Sequence, residues 1–89
     1  MSTPSGPTQL LRQSDDYVRM LYGYRCVRCG KRGAIVHEIV PRSKRPDDWW
    51  ALENRVVLCA ECHEFIHQRG AMHFVDELKA CQRRVLGVE

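Results

Sequence analysis

Cysteines stand at positions 26, 29, 59 and 62 as two Cys-x-x-Cys pairs, CVRC and CAEC, with a fifth at 81. Two close pairs and one left over make poor disulfide arithmetic. Thiolates bind zinc strongly and each pair supplies two vertices of a tetrahedron, so Cys26, Cys29, Cys59 and Cys62 point to one closed structural zinc site. Two alternatives stand beside it: a redox Cys-x-x-Cys, which expects a single motif next to a βαβ unit, and two disulfides in an exported protein. Cys81, on a predicted helix, reads as a small buried residue.

The histidines suggest a second site. His63 and His67 are four apart on a predicted helix and share a face, while Cys62 projects about 100 degrees away from His63, so one helix serves two ions. His37 lies in a predicted strand, and if two strands pair as a hairpin leaning on that helix, it faces the same ion. Three imidazoles leave coordination positions open for water or a phosphate oxygen, the arrangement a catalytic metal needs. The plain alternative is that both helix histidines are surface residues beside a structural zinc.

The elements that must position these groups are few. Eighty-nine residues hold one small domain, whose thin core ordinarily needs a metal, disulfides or a partner. Residues 1–13, rich in Ser, Thr, Pro and Gly, read as a flexible N-terminal arm and 14–89 as the folded domain. Ser14 with Asp15 and Asp16 begins a helix that Gly23 ends, and Tyr17, Val18 and Leu21 supply its apolar face. A cysteine knuckle follows, in which glycines let the backbone turn, and then a strand over 34–40. The segment 41–53 reads as a loop with one helical turn near Trp49 to Leu52; one tryptophan packs under the loop and the other stays exposed. A strand over 54–58, a helix over 59–68 closed by Gly70 and a final helix over 72–86 complete the chain, an α+β order.

With these residues placed, VHEIVPRS, Asn54 and LCAECHEFIH after an upstream Cys-x-x-Cys resemble an HNH endonuclease of the ββα-metal, or His-Me finger, class. The likeness covers residues 26 to 67. Its landmarks Cys26, Cys29, His37, Asn54, Cys59, Cys62 and His63 fall in order at suitable intervals, and Asn54 nine residues before His63, with His67 four after it, is similar to the spacing in the nuclease colicins. The resemblance implies a zinc-stabilised ββα finger with flanking N- and C-terminal helices, and DNA phosphodiester hydrolysis with little sequence preference. It makes His37, His63 and His67 ligands of a catalytic divalent ion, and has Asn54 hold the hairpin loop or the base. The sequence departs from the family at Glu38, where a histidine general base is usual. A carboxylate can accept a proton but is a weak base at neutral pH, so Glu38 is the expected base, with His73, free hydroxide and an inactive relic as rivals.

Charge agrees with a phosphate-bearing partner. The net charge is only +3, yet between Arg25 and Arg45 seven cations meet one acid, Glu38. Arg42, Lys44 and Arg45, with Arg55 nearby, are expected on the backbone of double-stranded DNA. Three histidines without a carboxylate are a poor magnesium cage, so Mn2+, Ni2+ or Co2+ is expected to serve better than Mg2+, with Zn2+ also suited to imidazole. No apolar run approaches the roughly 20 residues of a membrane span, nor do the first residues form a secretory signal, so a soluble, cytoplasmic protein is expected. Small nucleases of this kind resemble those of phages and mobile elements; a homodimer or phage DNA-processing partners fit such a role. The competing reading is a non-catalytic zinc-scaffolded module binding nucleic acid or protein.

Overall fold

The computed structural model describes residues 14–87, so the expected arm over 1–13 lies outside the described residues. Helix α1, Asp15–Leu21, starts where the Ser14 hydroxyl accepts from the Tyr17 amide at 3.2 Å, with Asp15 and Asp16 in the first turn. The strands β1, Ile35–Glu38, and β2, Arg55–Leu58, pair antiparallel with Ile35 opposite Leu58, His37 opposite Val56 and Glu38 opposite Arg55. Helix α2, Ala60–Arg69, ends at Gly70, whose φ of 99° suits glycine. A 3-10 turn, Ala71–Phe74, leads into helix α3, Val75–Leu86. The described residues thus form a small α+β domain of one hairpin and three helices, in the order expected from the sequence. No helix among the described residues is long and apolar enough to cross a membrane.

Strand β2 is buried along its whole length, which requires cover on both faces, and α1 and α2 both pack against the hairpin. Val18, Ile39, Val56, Leu58, Ile66 and Leu78 are fully buried at its centre. Each such side chain contributes about 1.5–3 kcal/mol. Cys81 joins this core at 5 % exposure, the small buried residue expected. The Tyr22 hydroxyl donates to the Arg55 carbonyl and accepts from Gln82, so one phenol ties α1, β2 and α3 together.

Four local expectations need correction. The first strand stops at Glu38 instead of Val40, because beyond Ile39 the pairing passes to a side chain: Val40 bonds to the Asn54 amide, and Pro41 has no N–H to give. Asn54 does not begin β2 but closes a 3-10 turn, Leu52–Asn54, displaced from the turn expected near Trp49. The last helix starts at Val75, since the positive φ of Gly70 forces a tight turn closed by His73 N–H to Gly70 C=O at 3.0 Å. Nor do the tryptophans divide as expected. Both are half-buried, and the Arg42 guanidinium lies 3.7 Å from the centre of the Trp49 ring.

Candidate metal centres

The four paired cysteines come together. Sγ atoms of Cys26, Cys29, Cys59 and Cys62 lie within 4.8 Å of one another, with Cys29 and Cys59 at 3.6 Å. Sulfurs at 2.3 Å around a tetrahedral ion stand about 3.8 Å apart, so the cluster could hold a metal such as zinc with little rearrangement. All five cysteines are free thiols, against the disulfide alternative. The first knuckle closes on the second because Gly33 has no side chain: a Cβ there would stand 2.8 Å from the Cys59 amide nitrogen and the Leu58 carbonyl oxygen.

Cys59 has a second task. It is the N-cap of α2, and its sulfur accepts the Cys62 amide at 3.4 Å. The Cys-x-x-Cys interval matches the N-cap to N3 interval of a helix, so the second knuckle starts the helix that carries the histidines. Electrostatics separates the thiols. Burial raises Cys26, but backbone amides of Cys59, Cys29 and Arg28 outweigh it and bring the thiol down to about 7. Burial pushes Cys62 up to about 12, which Arg28 opposes only in part. Four thiolates are mutually stabilised only around a cation, the ordinary condition of a thiolate metal site. Arg28, between the two cysteines of the first knuckle, donates to Cys62 Sγ at 3.7 Å and to Glu77 at 2.8 Å, and lies over Phe65. Sequence reasoning counted it only as one charge in a run; its position inside Cys-x-x-Cys was the available signal.

The histidines converge separately. Ring nitrogens of His37, from β1, and of His63 and His67, from α2, lie within 4.8 Å of one another, and the Nε2 atoms of His63 and His67 are 3.0 Å apart. The Nε2 of His37 is buried without a hydrogen-bond partner among the protein's own described groups, which leaves its lone pair free for an ion. These three could hold a second ion. They line a cavity of about 240 Å³ with Val36, Glu38, Pro41 and Ala71. Glu38 thus shares the cavity but stands outside the nitrogen cluster, its carboxylate accepting from Arg42 Nε at 2.9 Å. His73, the rival base, is exposed and does not line it.

Burial holds His37 far below the ordinary value, at about 4 against 6.5, helped by the neighbouring charges of His63 and His67. Because the folded value is the lower one, the unfolded chain binds the extra proton between about pH 6.5 and 4. Stability is therefore full above that window and falls through it on acidification, in the same direction as proton competition for a metal. An NMR titration of the His37 ring should show it neutral at pH 5.5; titration near 6.5 would contradict the burial.

Asn54, completely buried, closes the hairpin loop. Its amide donates to the carbonyls of Val40 and Trp49, each at 3.0 Å, and its Oδ1 accepts the Val40 N–H at 2.9 Å. Asn54→Ala deletes these bonds and strands buried backbone groups, so urea denaturation should show a loss of about 2–4 kcal/mol. A change within about 0.5 kcal/mol, the range of an ordinary surface substitution, would contradict the clamp.

The cationic residues separate into groups. Arg55 is not at the surface: only 1 % exposed, it reaches Asp15 at the start of α1 at 3.2 Å, so it serves the core and does not face a DNA backbone. Arg45 is held by Asp48 and Glu53, and Arg42 by Glu38. Lys44 is exposed with no acidic partner among the described residues. No protein family matches the sequence, and no curated protein or solved structure is detectably similar to it.

Proposed function

We propose that this protein is a metal-dependent DNA endonuclease of the HNH, ββα-metal class, with a structural zinc on Cys26, Cys29, Cys59 and Cys62. The observation that carries the reading is the convergence of His37, His63 and His67 beside a buried, unpartnered nitrogen, on a hairpin and helix anchored by a four-cysteine cluster. The three imidazoles would hold a divalent ion, which when bound supplies Lewis-acid stabilisation of phosphate charge. The chain's own groups do the rest. Arg42 and Lys44 are placed to meet phosphates, Asn54 fixes the loop that presents them, and Glu38 is the acceptor nearest the cavity for the proton of an attacking water.

For Glu38 to act, its carboxylate has to leave the Arg42 guanidinium, and a substrate phosphate competing for Arg42 provides the exchange. That ion pair is also what favours the second reading, a zinc-scaffolded binding module in which Glu38 has become a structural partner. Nicking of supercoiled plasmid by zinc-loaded protein tests the choice. Cleavage should be supported by Mn2+, Ni2+ or Co2+ better than by Mg2+, because the site offers imidazole and no carboxylate ligand. Glu38→Ala should abolish it while metal binding survives. Folded protein that fails to cut with every one of these ions leaves the binding module as the reading; clear preference for Mg2+ would refute the ligand set.

A further inference from the structure

The first knuckle carries a pair of opposed arginines. Arg25 and Arg32 face each other across an isolated antiparallel bridge. Directly opposed residues put their side chains on one face, roughly 5 Å apart, and like charges so placed repel. Neither has an acidic partner among the described residues, whereas Arg28, Lys31, Arg42 and Arg45 in the same cationic run each have one. Arg25 spends one N–H on the Gly30 carbonyl at 3.3 Å, and both side chains remain exposed.

A second local rule is broken next door. Tyr24 sits at φ 56°, the only described non-glycine residue with positive φ, and keeps its ring 37 % exposed. Glycine would take that conformation without strain, as Gly23 does beside it. The backbone fixes the group: the Gly33 N–H donates to the Tyr24 carbonyl at 2.9 Å and the Cys26 N–H to the Lys31 carbonyl at 2.6 Å. Strain and repulsion that persist at one exposed place, on a rigid frame, point to a ligand that relieves the repulsion.

We infer that Tyr24, Arg25 and Arg32 form a second phosphate-binding site, a clamp on the knuckle that grips the backbone of double-stranded DNA apart from the histidine centre. The inference rests on DNA as the substrate and adds to it a role for the zinc knuckle in holding that substrate. The paired guanidiniums offer forked donors to adjacent phosphate oxygens, and the phenol adds a donor or a face against sugar. Such contacts carry no base reading.

Duplex binding by fluorescence anisotropy over a salt series, without cleavage-supporting metal, tests it. Replacing both arginines, as Arg25→Gln with Arg32→Gln, should flatten the slope of log K against log salt by about 2, at any duplex sequence. The double lysine variant should keep most of the slope. Lys31→Gln, which removes a cation already paired with Glu61, should change it little; an equal effect per charge would reduce the result to net charge and overturn the clamp. Tyr24→Gly should bind less tightly with a melting temperature unchanged or raised. An unaltered slope in the folded, zinc-loaded double variant would also overturn the inference. Binding that depends on the arginines with no plasmid cleavage would sink the nuclease and leave the clamp, and cleavage with an arginine-independent slope would do the reverse.

Discussion

Cys59→Ser should leave the chain without cooperative structure at 25 °C, as should a strong zinc chelator acting on the unaltered protein. Three of the four clustered cysteines belong to the buried core itself, whose other described members are eight aliphatic side chains with Tyr22 and Cys81. A small domain is stabilised by about 5–15 kcal/mol in total, and a structural zinc in a small finger contributes about 10–16 kcal/mol of apparent binding free energy, so loss of the ion dominates everything else. Serine at 59 removes one ligand but can still cap α2 through its hydroxyl, so the capping role is largely preserved and the ligand role is isolated. Circular dichroism at 222 nm with zinc content by mass spectrometry reads the result. A serine variant that melts like the parent would show that the four thiols do not hold a structural ion.

His63→Ala should lower metal-dependent nicking by at least about 10²-fold, the loss already expected when only an outer partner of a metal ligand is removed. The fold should persist, because the imidazole of His63 faces the cavity while its backbone N–H stays bonded to the Cys59 carbonyl at 2.9 Å. Zinc content and melting temperature measured alongside separate the two centres. Equal nicking by parent and variant would remove the histidine cluster from the chemistry.

The cysteine and histidine clusters were legible because their members announce themselves by residue type and short spacing. Cys-x-x-Cys and the i, i+4 histidines need only local geometry, and His37 needed one further assumption, that the hairpin leans on α2. What the sequence hid depends on long-range partners. Arg55 looked like a surface cation, since nothing near it in the chain indicates that Asp15, forty positions earlier, receives its guanidinium. The early end of β1 was hidden because a side chain, that of Asn54, takes over pairing that strand propensity assigns to the backbone. Tyr24 was masked by Gly23, an adequate turn residue by itself.

The Asn54 clamp bears on how such a domain could diversify. One buried amide fastens the loop at Val40 and again at Trp49, so the positions of the histidines are insulated from what lies between, over 43–48. Lengthening a flexible loop costs only about 0.6 kcal/mol for each doubling, which a closed clamp tolerates. The stretch 43–48 is thus an exchangeable cassette, open to insertion or grafting while the centre beneath it keeps its shape.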